Sequence, residues 1–352
     1  MTTQRGGLQR RGLSSVELTG IVQNEISVSL KIVLMGTGAF ALPTFRHLLE
    51  SSANIPDAHK VMAVFTQPER TGRGHHRHVN PVRVLAEEHG VPVFQPDSVN
   101  EPEMLDALRS FHADVFVVAA YGQILKKVLL EIPAQGAFNL HGSLLPKYRG
   151  AAPVQYTIWN GDPVGGVTMF QIEPALDSGP MVGVVETQIS PDDTSATLMN
   201  RLADLSVDLT VDVLNQLDRG TAKFEVQDVS QVSLAPKIQK QEGIINWTKS
   251  AKEIDCHIRA MQPWPKASTW LHLPDRKPLR CILQNATAEE SSTVGEPGTI
   301  LCGPEDSDTI KVATGSGILA VQTIQPEGKK AMDAAGFFNG YVGKQTAYWG
   351  ME

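Results

Sequence analysis

The sequence predicts an α/β fold, in which a doubly wound, mostly parallel sheet is followed by a small barrel that resembles an OB-fold. Short apolar strands alternate with helical stretches from residue 31 to residue 217, a pattern typical of a sheet covered by helices on both faces. Residues 219–236 are polar and lack periodicity, which indicates a linker. We therefore predict one domain over residues 31–218 and a second domain over residues 237–352.

The elements of the first domain follow one another in regular alternation. The strand Lys31–Met35 leads through a glycine turn into the helix Phe40–Glu50. Unbroken apolar runs such as Val115–Ala120 are typical of parallel strands that are buried on both faces. The other strands are predicted over Val61–Phe65, Pro92–Phe94, Ala137–Leu140, Gly166–Phe170 and Met181–Gln188, and the other helices over Pro81–His89, Glu101–Phe111 and Ser195–Leu217.

The second domain is predicted to hold one helix and about five short strands. The helix spans Ala251–Met261, and turn clusters such as Gly295–Gly298 separate the strand-like runs. Such a set favours a small barrel. The runs are Ser268–His272, Leu279–Gln284, Thr299–Leu301, Ile310–Ala313 and Ile318–Ile324.

Residues 1–30 differ from the rest of the chain and are excluded from the fold. They carry arginines without an apolar period and lack the apolar core of a secretory signal, so we interpret them as a disordered extension. The three cysteines are far apart, which excludes a disulfide scaffold and suits a reducing compartment. No apolar run approaches the ~18 residues that a membrane span needs. We expect a cytoplasmic protein, or one of an organellar matrix if residues 1–30 are a transit peptide.

The net charge of −7 argues against a globally basic, polyanion-binding protein. One segment stands out, because residues 69–83 carry four arginines and three histidines against a single acid. Such charge runs are usually solvated surface. A glycine-flanked basic loop around Arg73 on an acidic domain is also what an anionic partner would require.

A glycine-rich turn follows the first strand and opens a helix, as in dinucleotide-binding folds. Residues 36–41 fit that pattern with alanine at the third glycine position. The second strand, however, ends in Thr66-Gln67-Pro68 without an acid to hold a ribose hydroxyl. We interpret the turn as a tight connection between strand and helix.

The densest set of polar groups begins where the fifth strand ends. Ligands of open parallel sheets bind outside the carboxyl ends of the strands. Asn139 and His141 lie two positions apart, so their side chains share one face. A histidine moves protons near neutral pH, and a carboxamide donates to a developing oxyanion. We predict both as catalytic residues, although a lone histidine is more often structural.

An apolar loop follows this pair. It consists of Ser143, Leu144, Leu145 and Pro146, after which come the cationic and aromatic residues 147–149. An apolar, glycine-punctuated loop followed by cations is a poor linker. We interpret it as the wall of a pocket for a flat ligand.

Asp177 lies in an Asp-Ser-Gly sequence between two predicted strands, which is also ordinary turn chemistry. Considered with Asn139 and His141, its carboxylate can fix the tautomer of the imidazole and stabilise the charged form. No cysteine or well-placed serine nucleophile accompanies these residues, and the histidines of residues 75–78 are too loosely arranged for a metal site. The sequence predicts direct group transfer without a metal.

From about Lys31 to the C-terminus, the sequence resembles the methionyl-tRNA formyltransferases, a branch of the folate-dependent formyltransferases. The Asn-x-His pair, the Ser-Leu-Leu-Pro loop and the distant aspartate of the superfamily match Asn139, His141, residues 143–146 and Asp177. The narrower resemblance rests on Val64–Pro68, Gly72–Gly74, Ala120–Gly122, Arg149–Pro153, Gly161–Asp162, Ile244–Trp247, Ile258–Ala260, Pro263–Pro265 and Gly328–Met332.

The resemblance implies a monomeric enzyme that transfers a formyl group from 10-formyltetrahydrofolate to the α-amine of methionyl initiator tRNA, for translation initiation. Asn139 and His141 would stabilise the oxyanion, and Asp177 would orient or charge His141. The Ser143–Pro146 loop would form the wall behind the pterin. Similarity to the family places the loop around Arg73 against the acceptor end of the tRNA. The C-terminal barrel would support the acceptor arm, with Lys240 among its candidate contacts.

Three other functions compete with this one. A sister formyltransferase that acts on glycinamide ribonucleotide or an aminosugar nucleotide would share every catalytic residue. A non-catalytic RNA-binding protein would not need Asn139, His141 and Asp177 together. A nicotinamide dehydrogenase would need the missing acid at the end of the second strand.

Overall fold

The computed structural model describes residues 29–69, 79–291, 295–304, 308–343 and 345–352. Most of the predicted N-terminal extension and the loop that holds Arg73 lie outside these residues. Leu30, which we assigned to the extension, belongs to the fold. Its side chain is buried, and its carbonyl accepts a hydrogen bond of 2.8 Å from the Lys60 amide, so the pairing of the first two strands begins before Lys31.

The first sheet confirms the predicted doubly wound architecture. Its strands run in the order β3-β2-β1-β4-β5-β7-β8. The first five strands are parallel, whereas β7 and β8 are antiparallel to their neighbours. The strands up to β8, of which β6 lies outside this sheet, are β1 (Lys31–Gly36), β2 (Lys60–Phe65), β3 (Val93–Phe94), β4 (Val115–Ala119), β5 (Gly136–His141), β6 (Arg149–Gly150), β7 (Val164–Gln171) and β8 (Met181–Gln188).

Helices cover both faces of this sheet. Alternate residues of β1 face opposite sides, so that Leu34 joins the cluster of Phe45 and Leu202, and Met35 joins the cluster of Leu108. This double burial explains the unbroken apolar runs in the sequence. The helices are α1 (Leu42–Asn54), α2 (Pro81–Glu88), α3 (Pro102–Ser110), α4 (Lys127–Leu130), α5 (Pro153–Trp159) and α6 (Ser195–Asp218).

The glycine turn after β1 has a packing reason. A Cβ atom at Gly36 would lie 2.7 Å from the Ala119 carbonyl oxygen and 2.7 Å from the Phe45 ring. Position 36 therefore requires glycine, because β4 and α1 pack too closely against it for a side chain. This agrees with the interpretation of residues 36–41 as a tight connection.

The second sheet confirms the predicted barrel. Its strands are all antiparallel, in the order β12-β13-β14-β11-β10-β16, and β15 pairs with β14. A bridge between Thr299 and Tyr348 joins its two edges, so the barrel is nearly closed. The elements are α7 (Ala251–Ala260), β10 (Ala267–His272), β11 (Leu279–Glu289), β12 (Ile300–Cys302), β13 (Ile310–Ala313), β14 (Ile318–Pro326), β15 (Met332–Asp333), α8 (Ala334–Phe337) and β16 (Tyr348–Gly350).

The two sheets are joined through a segment that sequence analysis left without structure. It contains β9 (Leu234–Ala235), which pairs in parallel with β6. The barrel also touches the first sheet's helices, because Ser195 Oγ donates a hydrogen bond of 2.8 Å to the Ala260 carbonyl. Among the described residues, no helix is both long enough and apolar enough to cross a membrane.

Candidate active site

Asn139 and His141 lie at the carboxyl end of β5, where the sheet changes from parallel to antiparallel pairing. β5 pairs with β4 on one side and with β7 on the other. His141 is buried, with 5% of its surface exposed, and Asn139 is half-buried. Among the described residues, the Asn139 carboxamide has no hydrogen-bond partner, although it faces a cavity. The structure therefore leaves its donors available to a ligand.

The hydrogen bonds of His141 define where its proton lies. Nε2 lies 2.9 Å from the Tyr148 carbonyl oxygen, which can only accept, so Nε2 carries a proton. Nδ1 lies 3.7 Å from Oδ2 of Asp177. In the neutral imidazole this Nδ1 holds a lone pair, and a proton gained there would create an ion pair with Asp177.

Burial lowers the pKa of His141 below its ordinary value of 6.5. The Asp177 carboxylate and the Tyr148 carbonyl oppose this shift, because both favour the charged imidazole. Burial has the larger effect, so the site favours the neutral ring. It is a base with its lone pair on Nδ1, beside a carboxylate that stabilises it once charged.

Asp177 is held in the turn between β7 and β8. Its backbone has a φ of 44°, in the left-handed region that residues other than glycine seldom adopt. Its Oδ2 atom accepts a hydrogen bond of 2.8 Å from the Gly150 amide. Asp177 thus reaches His141 from a distant turn and is oriented by the loop that follows β5.

The three residues open into one cavity of about 620 Å³. Two exposed apolar side chains stand at its mouth, Ile124 at 84% and Leu176 at 61% exposure. Mostly apolar walls with a few convergent polar groups are typical of a small-molecule site. Two loops, residues 121–125 and 172–176, form part of its lining, together with apolar side chains of the sheet and helices such as Val118, Phe170 and Met199.

The predicted wall, Ser143–Pro146, is not part of this lining. The loop turns back on itself, because the Ser143 hydroxyl donates to the Lys147 carbonyl at 2.7 Å and the Leu145 amide donates to Thr168 Oγ1 at 3.0 Å. Leu144 packs toward Gly166 in β7. These contacts place the loop outside the cavity that Asn139 and His141 line. Sequence analysis assigned no pocket role to residues 121–125 and 172–176, although Tyr121 and Gly122 belong to a motif of the family resemblance. The available signal was the large apolar side chains Ile124 and Leu176 in loops that follow strands.

A second cavity, of about 630 Å³, lies beside the first. Both cavities are lined by Ala120, Tyr121 and Gly122. The second is also lined by residues 37–38, residues 67–69 and residues 79–81. Two adjoining cavities at the carboxyl end of the sheet suit a reaction between two ligands.

Of the two predicted tRNA contacts, Arg73 and Lys240, the structure describes only Lys240. Arg73 lies outside the described residues, between Glu69 and Val79, which both line the second cavity. Lys240 is exposed in a short 3-10 turn, Lys240–Gly243, soon after β9. Among the described residues, no group of three histidine, cysteine or carboxylate side chains is arranged to hold a metal.

Two family models match the chain over most of its length. The model described as formyl transferase matches residues 30–214, and the model of the formyl transferase C-terminal domain matches residues 237–342.

Solved structures share the fold at low sequence identity. HypX from Aquifex aeolicus with tetrahydrofolic acid is 14% identical with a TM-score of 0.53, covering 90% of this chain and 48% of its own. WlaRD, a sugar 3N-formyl transferase, is 17% identical with a TM-score of 0.60, covering 86% and 99%. An N-formyltransferase from Helicobacter canadensis, solved with folinic acid and dTDP-3-aminofucose, is 18% identical with a TM-score of 0.56, covering 83% and 99%. The chain spans about half the length of the HypX structures it matches.

Proposed function

The chain belongs to the formyl transferase family, and from this premise we propose that it transfers a formyl group from 10-formyltetrahydrofolate to the α-amine of methionyl initiator tRNA. The observation that carries the proposal is the convergence of Asn139, His141 and Asp177 on one cavity that adjoins a second. One cavity would take the formyl donor and the other the acceptor amine.

The chemistry needs a hydrogen-bond donor for an oxyanion and a group that moves one proton. The amine attacks the formyl carbon, and negative charge develops on the formyl oxygen. The free Asn139 carboxamide would donate to that oxygen, an interaction worth ~3–4 kcal/mol in comparable sites. The Nδ1 lone pair of His141 would take the proton of the attacking amine, and Asp177 at 3.7 Å would stabilise the imidazolium.

The same proton completes the transfer. His141 would return it from Nδ1 to the departing folate nitrogen as the carbon–nitrogen bond breaks. The charged imidazole can also donate to the oxyanion while it holds the proton. Nε2 stays bonded to the Tyr148 carbonyl throughout, so the ring keeps its orientation.

The first cavity fits a folate through its size and its apolar walls. A flat ring system would lie between residues 121–125 and residues 172–176, with Ile124 and Leu176 at the mouth. Two structures of similar fold support a folate as the ligand, because HypX was solved with tetrahydrofolic acid and the Helicobacter canadensis enzyme with folinic acid. The Ser143–Pro146 loop would support the pocket from behind.

The choice of tRNA as acceptor rests on the motifs that resemble methionyl-tRNA formyltransferases, including the basic loop around Arg73. The C-terminal domain alone does not separate the candidates, because WlaRD and the Helicobacter canadensis N-formyltransferase both align over 99% of their own length. Those same structures favour one alternative, an enzyme that formylates an aminosugar nucleotide.

A single assay separates the two acceptors. The enzyme and 10-formyltetrahydrofolate are incubated in three parallel reactions, each with one acceptor. The acceptors are methionyl initiator tRNA, methionyl elongator tRNA and dTDP-3-aminofucose, and the formylated product of each is measured. The proposal predicts formylmethionyl initiator tRNA, little product on the elongator tRNA and none on the sugar. Formylation of the sugar alone would replace the tRNA function with the alternative.

A further inference from the structure

The connection between the two sheets runs along the active-site loops. We call residues 224–236 the linker strap. Glu225 exchanges two backbone hydrogen bonds of 2.8 Å with Met181, just after the Asp177 turn. Further along, Ser233 accepts from the Tyr148 amide through Oγ at 2.9 Å and from the Arg149 amide through its carbonyl at 2.9 Å. The strap therefore contacts both loops that shape the catalytic site.

Gln227 is the one buried polar side chain of this strap, with 4% of its surface exposed. Its carboxamide nitrogen donates to the carbonyl oxygens of Asp177 at 2.9 Å and Gly179 at 2.8 Å. Its oxygen accepts two hydrogen bonds from the Arg149 guanidinium, at 2.7 and 3.1 Å. Both donor sites and both acceptor sites of the amide are used, so Gln227 ties the Asp177 turn to the loop after β5.

These hydrogen bonds hold a turn whose backbone conformation is unfavourable. Asp177 has a positive φ and carries a side chain, a conformation that persists when the surroundings fix it. Its carboxylate is held by the Gly150 amide, and Gly150 itself pairs with Ala235 of the strap. A Cβ at Gly150 would lie 2.5 Å from the Ala235 carbonyl oxygen, so this approach is close.

The strap also supports His141. The carbonyl that fixes its Nε2 proton belongs to Tyr148, whose own amide donates to Ser233 Oγ. Both partners of the 3.7 Å contact between His141 and Asp177 are therefore oriented by contacts that end on the strap.

We propose that Gln227 is a positioning residue that holds the Asp177 carboxylate against His141, so that this one side chain of the linker strap supports the active site. This inference rests on the proposed roles of Asp177 and His141. It gives the connection between the catalytic sheet and the barrel a function beyond joining them.

The test replaces Gln227 with methionine, which keeps the length of the side chain and removes every hydrogen bond. The pKa of His141 is read by NMR titration of the full chain with ¹³C-labelled histidine, its signal assigned from a His141→Gln variant. Because Asp177 raises this pKa in the folded chain, Gln227→Met and Asp177→Asn should each lower it. In the double variant, Gln227→Met should add nothing to the effect of Asp177→Asn.

The kinetics of tRNA formylation provide a second test of the role of Gln227. Gln227→Met should reduce kcat by about 10–100-fold, as expected for a displaced catalytic group, and leave KM for the folate near its normal value. Val229→Ala is the matched control, since Val229 lies in the same strap with 79% of its surface exposed. Thermal unfolding of each variant shows whether a lower kcat comes from loss of the fold or from displacement of Asp177.

The outcomes distinguish the inference from the function on which it rests. If Gln227→Met leaves the pKa of His141 unchanged while Asp177→Asn lowers it, Gln227 does not position the carboxylate and the inference is overturned. If Gln227→Met lowers the pKa equally with and without the Asp177 carboxylate, it acts by another route, which also overturns it. If the pKa behaves as expected but no acceptor is formylated, the proposed function fails and the positioning role stands.

Discussion

Nδ1 of His141 lies 3.7 Å from Oδ2 of Asp177, although the first residue ends a central strand and the second lies in a turn at the edge of the sheet. The distance is too long for a hydrogen bond and short enough for an ion pair. A neutral, buried imidazole can thus gain a proton on the nitrogen that faces a carboxylate. The predictions below test this arrangement and the cavity around it.

Replacing Asn139 with alanine should reduce kcat by about 100–1000-fold, because one donor to the oxyanion is lost. KM for methionyl initiator tRNA should change little, because the carboxamide acts mainly in the transition state. Steady-state formylation, with thermal unfolding as a check on the fold, measures both. A variant with the normal kcat would remove Asn139 from the mechanism.

The pH profile of kcat/KM should report the neutral form of His141, because this ratio reflects the ionisation of the free enzyme. Since burial lowers the pKa of His141, kcat/KM should rise with pH through an inflection that lies below 6.5. Asp177→Asn should move this inflection to lower pH, because the carboxylate raises the pKa. A rising limb that Asp177→Asn leaves unchanged would contradict the assignment.

The folate wall should be formed by exposed apolar side chains. Burying one such side chain is worth ~1.5–3 kcal/mol, so Ile124→Ser and Leu176→Ser should each raise KM for 10-formyltetrahydrofolate by about 10-fold or more. Val184→Ser is the control, because Val184 is an exposed apolar residue of β8 outside the cavity lining. Equal effects in all three variants would show that the changes act on general stability.

Binding of tRNA should weaken steeply with salt, since phosphate contacts release counterions. Arg73→Ala should reduce the slope of log affinity against log salt by about one if this side chain contacts a phosphate. Lys240→Ala tests the second predicted contact in the same titration. A flat salt response of the unaltered enzyme would remove the electrostatic basis for a tRNA partner.

The sequence allowed the sheet, the barrel and the pair at the end of β5 to be predicted, because each has a local signal. Parallel strands buried on both faces appear as apolar runs, and Asn139 and His141 are two residues apart on one strand. Asp177 could be proposed only as a possible partner of Asn139 and His141, and through the family resemblance, since its own sequence is that of a turn. Its proximity to His141 depends on the pairing of β5 with β7, which no local pattern encodes.

Other parts of the site could not be predicted for the same physical reason. Gln227 lies in a polar stretch without periodicity, and its importance comes from contacts with residues distant in sequence. The Ser143–Pro146 loop has the composition of a pocket wall, but its hydrogen bonds to Lys147 and Thr168 turn it away from the cavity.

The most direct test of the central claim is a double-mutant cycle on His141 and Asp177. Single-turnover formylation of methionyl initiator tRNA is measured for the unaltered enzyme, His141→Gln, Asp177→Asn and the double variant. Each single change should cost about 100-fold or more, and the double variant should be no slower than the slower single variant, because the two residues move one proton together. Losses that multiply in the double variant, or a normal rate for Asp177→Asn, would contradict the account.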